Sequence, residues 1–238
     1  MFDFDKEGTV IFNGRNTIKA FNAGGREIVV KRFQRPDFIK KIIYTFFRKS
    51  KAYRSFYNAT ELIRRGISTP APIEYSETKR FGLIDFCYYV CERNDDPPVE
   101  DLIDRDDWNH ELAAALAAFS AKLHCKGILH KDFNDTNIRY DKDFNFSLID
   151  LNRMTFYPEG TEIPINICLD NLTRFTGRMD LFEYVIRQYA SCRNLDVEKT
   201  TQAALKIKRR HDRNWRIRKS ICHPVRFLRT CVTRRFIL

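Results

Sequence analysis

HCKGILHKDFNDTNIRYDKDFNFSLIDLNRM, residues 124–154, is the stretch on which the reading of the chain turns. It opens with a His-Lys-Asp turn (His130, Lys131, Asp132), and Asn137 follows five residues after that Asp. A polar break, Asp141 to Asp143, leads into an apolar strand, Phe146 to Ile149, which delivers Asp150. Phosphoryl transfer from a nucleotide needs such a set. One carboxylate accepts the proton of the attacking hydroxyl, while an amide oxygen and a second carboxylate hold a divalent metal on the phosphates. The plain alternative is a β-hairpin with incidental acids, since Asp and Asn favour turns in any case. A fixed-offset His, Asp and Asn followed by a strand-borne Asp favours the chemical reading.

The spacing H-x-D-x-x-x-x-N is that of a protein-kinase catalytic loop, and Asp150 stands where the metal-binding Asp should follow. With LHCKGILHKDF leading in and SLIDLNRM leading out, the loop resembles the lipopolysaccharide core kinases. These are the Kdo and heptose kinases, small kinase-fold enzymes acting on inner-core sugars of lipid A. The resemblance covers roughly residues 9–195 and extends to SKAYRSF and GISTPAPIEY. It implies an α+β, two-lobed protein-kinase-like fold, with a small antiparallel β N-lobe, a mainly helical C-lobe, and dependence on ATP and Mg2+. The motifs are closer to those of the Kdo kinases. Asp132 is the expected catalytic base or orienter of the acceptor hydroxyl, Asn137 and Asp150 the expected metal ligands. His130 is expected to brace the loop. Lys131 either supports the γ-phosphate or faces solvent, and Arg153 either binds an anionic sugar or forms a structural salt bridge.

The 238 residues suffice for one two-lobed domain, and 43% are hydrophobic. No apolar run approaches the ~20 residues that span a bilayer. The start, MFDFDKEGTV, lacks the apolar core of a signal peptide, so an intracellular protein is expected. Seven cysteines show no zinc-like spacing, which fits reduced thiols. The net charge of +11 is concentrated at one end. Twelve of the 42 basic residues and one of the 31 acids lie in 206–238, leaving a body with 30 of each. That asymmetry points to an anionic partner for the tail.

The organisation expected is an N-lobe at 1–93, a C-lobe at 94–205 and a basic amphipathic tail at 206–238. Thr9–Phe12, Thr17–Phe21 and Glu27–Phe33 read as antiparallel strands joined by Asn13-Gly14 and Ala23-Gly24-Gly25 turns. The first turn lies where a glycine-rich loop would cover the phosphates, but it holds one glycine. Asn13, Gly14 and Arg15 would have to cradle the nucleotide by backbone N–H groups and a guanidinium. Lys31 closes the run Ile28-Val29-Val30 as the phosphate-binding lysine does in V-A-I-K; the plain reading is a solvated strand-end lysine. In Arg35–Lys49 the stripe Phe38, Ile42, Ile43, Phe46, Phe47 is expected to pack normally. Ser50 should cap a helix over Lys51–Arg65. The family's acid for the strand lysine would fall near position 57, which is Tyr57; Glu61 is the nearest acid, and either it reaches Lys31 or the pair is absent.

Phe81–Glu92, with a break near Asp85-Phe86, reads as the last two strands, and the adenine is expected against backbone near Val90–Arg93. Helices are expected over Trp108–Cys125 and within Leu172–Arg193. No D-F-G follows the loop, where Asp-Leu-Asn stands instead, and Pro158-Glu159-Gly160 is too near Asp150 to leave room for peptide docking. A small or lipid-linked acceptor is therefore expected, such as a Kdo-lipid A precursor. An atypical protein kinase, an antibiotic phosphotransferase and a pseudokinase with a basic arm remain alternatives. In the tail, Pro224 should open a helix with Val225, Leu228, Val232 and Phe236 on one face and arginines off it. That pattern suits an anionic membrane surface, at the cytoplasmic face of the inner membrane. A packed helix is its plain alternative, and a nucleic-acid arm is less favoured.

Overall fold

The computed structural model describes residues 3–102 and 107–234, with 101 and 221–234 as backbone alone. Three short strands begin the first lobe: β1 (Thr9–Asn13), β2 (Thr17–Ala23) and β3 (Arg26–Arg32), paired antiparallel in sequence order. The chain reverses at Gly24-Gly25, both at positive φ, where glycine meets no steric penalty. β4 (Pro72–Arg80) and β5 (Leu83–Glu92) complete a sheet of order β1-β2-β3-β5-β4. This corrects the expected strand break at Asp85-Phe86: the reversal is at Phe81-Gly82, and β5 runs unbroken. Asp85 is tolerated inside the strand because Arg35 and Lys41 both pair with its carboxylate. β4 escaped the reading because its residues are mostly exposed and carry little apolar alternation.

Between β3 and β4 lie a short helix, α1 (Phe38–Ile42), a π-helical turn, Ile43–Phe47, and α2 (Lys51–Arg64). Ser50 caps α2 as expected, accepting from the Tyr53 N–H. The apolar stripe of the preceding segment does not pack as expected, since Phe38, Phe46 and Phe47 all stand exposed.

In the second lobe α3 (His110–Cys125) is capped by Asn109, whose side chain accepts from Leu112. Gly127, at φ 70°, ends it and turns the chain into β6 (Ile128–His130). A Cβ there would also crowd the Tyr157 carbonyl oxygen at 3.2 Å, a tight contact added to the strain of the positive φ. β7 (Ile138–Tyr140) pairs with β8 (Phe146–Leu148), and β6 with β9 (Met154–Phe156). The helix expected within 172–193 is preceded by a separate one: α4 (Ile165–Leu172) ends before α5 (Met179–Cys192) begins.

One buried cluster runs from Phe33, Ala52 and Leu62 in the first lobe through Leu116 and Leu123 of α3 to Phe182, Val185 and Tyr189 of α5. Each large side chain so buried contributes about 1.5–3 kcal/mol. α6 (Val197–Arg234) is a single helix that begins well before the boundary expected at 206, and Pro224 lies inside it rather than opening it. Ala204 and Lys208 are buried. The Lys208 ammonium donates to Asp212 at 2.7 Å and stands over the Phe182 ring, so its long stem fills core space while its charge is met. The side chains of Val225, Leu228, Val232 and Phe236 lie outside the described residues.

Candidate active site

The catalytic loop is held by its own hydrogen bonds. His130 is buried, its Nε2 3.0 Å from the Ile149 carbonyl and its Nδ1 3.2 Å from the Asp132 N–H. A carbonyl can only accept and an N–H can only donate, so the ring is the Nε2–H tautomer. Burial pushes its pKa below the usual range despite the Ile149 carbonyl and the nearby acids, so the ring stays neutral. His130 therefore positions Asp132 and has no nitrogen left for proton transfer. Asn171 donates to the His130 carbonyl at 2.8 Å, and a chain runs behind it. Arg193 donates to the Tyr189 hydroxyl (2.9 Å), which donates to His124 Nδ1 (2.8 Å), and His124 Nε2–H donates to the Asn171 oxygen (3.2 Å).

Asn137 donates through Nδ2 to the Asp132 carbonyl at 2.9 Å, which leaves its amide oxygen as the end not used in that bond. Its own carbonyl accepts from the Ile149 N–H at 3.0 Å, tying the loop to the segment that carries Asp150. Asp150 has a left-handed backbone, φ 55° and ψ 53°, a conformation that costs a non-glycine residue about 1 kcal/mol or more and is commonest at functional sites. Burial would raise its carboxyl pKa. The Lys31 ammonium at 2.7 Å and the Asn152 amide at 2.7 Å outweigh that and hold it below the usual range. Leu151, in the place of the kinase Phe, is buried in the core.

Lys31, Asp132, Asn137 and Asp150 line one cleft of about 890 Å3 between the lobes. Ile18 and Val29 line it from the sheet, Ile149 from the C-lobe and Cys91, Glu92 and Asn94 from the connection between lobes, which makes an aliphatic slot suited to a base. Arg15 lines it too. Asn13 and Gly14 do not: the Asn13 side chain accepts from Thr17, and the Gly14 N–H donates to the Asn16 carbonyl at 3.1 Å, so both close the hairpin. The phosphate role expected of them is corrected to a structural one. Lys131 is exposed and lines no part of the cleft, so the catalytic placing expected of it is corrected as well.

Glu61 is the third correction. Arg64 first, then Arg65, grip its carboxylate and lower its pKa to about 2, while Lys31 is occupied by Asp150. Glu61 sits near the far end of α2, where Arg65 also reaches the Lys126 and Tyr157 carbonyls. The face of α2 that meets the cleft carries Lys51, Arg54 and Asn58 at helical spacing. Arg54 donates to the Asn152 carbonyl and Asn58 to the Leu151 carbonyl, each at 2.6 Å. Burial and the like charge of Arg15 push the Lys51 ammonium below its usual pKa; burial and the charges of Arg48 and Arg153 do the same to Arg54. Arg15, Lys31, Arg48, Lys51, Arg54 and Arg153 together make the cleft a cationic cavity that an anionic ligand would relieve. The sequence reading missed Lys51, Arg54, Asn58, Asn152 and Asn171; the i, i+3, i+7 polar stripe in KAYRSFYN was the available signal. Arg153 forms a salt bridge with Asp132 at 2.7 Å.

A second cleft, of about 980 Å3, meets the first at Asp132 and is walled by Arg174, Glu183, Lys208, Arg209 and Trp215. Among the described residues no cluster of three or more His, Cys, Asp or Glu could hold a metal alone. The hard-oxygen pair of Asp150 and Asn137 fits a magnesium ion whose remaining ligands are phosphates and water.

No family model matches the chain, and no curated protein matches it. Among solved structures it is similar to WaaP in complex with acyl carrier protein, with a TM-score of 0.57, 16% identity and 87% of each chain covered. At that identity the likeness shows the fold, a two-lobed α+β kinase-like fold with an antiparallel N-lobe sheet and a helical second lobe. Since 1856 chains match in structure, fold alone does not select an acceptor.

Proposed function

We propose that this protein is an ATP-dependent phosphotransferase acting on a sugar hydroxyl of the lipopolysaccharide inner core, with Kdo on a lipid A precursor as the favoured acceptor. The observation that carries the reading is the convergence of Lys31, Asp132, Asn137 and Asp150 in one cationic cleft. The base lies in the aliphatic slot. Lys31, Lys51 and Arg15 are placed to bind the phosphates, and Asp150 with the Asn137 amide oxygen would hold magnesium, which supplies charge neutralisation on them. Asp132 accepts the proton of the acceptor hydroxyl as its oxygen bonds to the γ-phosphorus and the bond to the β-phosphate oxygen breaks, releasing ADP. An anionic sugar suits the arginines beside Asp132, and the second cleft gives it room. This acceptor class rests on the motif resemblance and on that charge.

A lipid-linked acceptor is met at the cytoplasmic face of the inner membrane, where the basic 206–238 segment would touch anionic lipid. An acyl carrier protein is a partner to test, because the structural neighbour was solved with one. The deciding assay is magnesium-dependent transfer from labelled ATP to lipid A precursors bearing Kdo or heptose. Asp132→Ala should lower it by several orders of magnitude with the fold intact. Asp150→Ala should also lose magnesium-dependent nucleotide binding. Near-normal turnover in either variant overturns the assignment, and transfer to the heptose acceptor alone replaces Kdo.

A further inference from the structure

The segment 38–49 presents apolar side chains that the fold does not cover. Phe38 and Ile39 are each 70% exposed, Phe46 68% and Phe47 82%. Phe46 and Phe47 stand edge to face at the end of the π-helical turn, and none of the four belongs to either buried cluster. Phe81, at the β4–β5 turn, is 91% exposed, and its strand is tied to the same segment. Three residues after it, the Ile84 N–H donates to Thr45, next to Phe46. A soluble protein gains nothing from displaying so many large apolar groups together, so they mark a surface that something else covers.

Charge selects the occupant. Residues 35–51 contain six Lys or Arg and one acid, Asp37. Asp37 is taken by Lys40, and Asp85 answers Arg35 and Lys41. Arg48 and Lys49, exposed beside Phe47, meet no carboxylate in these pairs. Aromatic tips on a projecting helical turn, ringed by cations, fit the interface of an anionic bilayer, where rings enter the acyl boundary and cations meet headgroups.

Position strengthens the choice. Tyr44 and Arg48, in and beside the same turn, line the cleft that holds Asp132. Across Asp132, the second cleft is walled by Trp215 and Arg216 of α6, where Trp215 is 55% exposed and stacked by Lys219. Two apolar and basic elements, one on each lobe, thus flank the base.

We propose that residues 38–49, with Phe81, form an interfacial docking surface for an anionic lipid bilayer, separate from the basic C-terminal helix. The surface stands on exposure and charge and survives if the phosphotransfer reading fails. Seated there, the protein would hold the cleft that Tyr44 and Arg48 line beside the bilayer, within reach of a lipid-linked acceptor.

The test uses the full chain and vesicles of phosphatidylcholine with a minority of phosphatidylglycerol. Phe46→Ser/Phe47→Ser should keep the thermal melt and reduce vesicle partitioning roughly tenfold or more, a loss that persists in high salt, where contacts of the basic helix are screened. Phe47→Trp should gain quenching by brominated acyl chains above that of the wild type, whose Trp108 and Trp215 set the background. Equal partitioning of wild type and double variant, together with no added quenching, overturns the proposal. So does a dimer, or a complex with an acidic protein such as an acyl carrier protein, that needs Phe46 and Phe47 while vesicles bind neither form. If the double variant fails to fold, the quenching alone decides.

Discussion

At the scale of single residues, the decisive ion pair is Lys31 with Asp150, not Lys31 with Glu61. Glu61→Gln and Lys31→Met should therefore be additive in a double-mutant cycle on activity, because they share no partner. A coupling above about 0.5 kcal/mol would show that the two meet during turnover. His124 makes a second residue-level prediction. Burial lowers its pKa from 6.5 to about 4, so the folded state stays neutral where the unfolded chain takes up a proton. Stability contributed by this ring is complete above pH 6.5 and falls as the pH drops from 6.5 towards 4, by about 3 kcal/mol at most. Denaturant melts across that window should show the decline, and His124→Asn should make it shallower, with buried His130 contributing what is left. An identical slope in both proteins would remove His124 as its source.

At the scale of elements, α2 shows where the sequence was legible and where it was not. Its start was readable from Ser50, and its length from the stop at Gly66 and the two prolines that follow. Its role was not, because the partner of Lys31 comes from the other lobe and the cleft-facing cations of α2 read as an ordinary solvated face. The meeting of Asp132, Asn137 and Asp150 in one cleft was legible from fixed local offsets, while the outward turn of Lys131 was not. Three of the loop's supports, Asn58, Asn152 and Asn171, were not either. Two of these act across long sequence separations, and Asn152 stood in the one triplet that departs from the kinase pattern. The hairpin at Asn13-Gly14 was placed correctly, but its backbone is spent within the turn. Asn58→Leu tests the helix directly. It leaves the Leu151 carbonyl without its donor, which should cost about 1–3 kcal/mol and loosen Asp150, so kcat should fall more than nucleotide affinity. Unchanged kcat with lowered stability would reduce Asn58 to a structural support.

At the scale of the whole molecule, one buried cluster joins α2 to α3 and α5 across the two lobes, and α6 packs on it as far as Lys208. Lys208→Ala should lower stability by about 1–3 kcal/mol, since it empties buried space beside Phe182 and leaves Asp212 with only the His211 ring as a partner among the described residues. A melt unchanged by that substitution would detach α6 from the folded body. The bonds from Arg54 and Asn58 to the Asn152 and Leu151 carbonyls have a further consequence. In protein kinases activity is controlled by swinging the corresponding helix. Here such a swing would break both anchors at once and pull Leu151 from the core. Hydrogen exchange in α2 should therefore be equally slow with and without nucleotide, and slowing on nucleotide addition would show that the helix moves. A helix pinned at both points would leave the cleft formed before any ligand arrives.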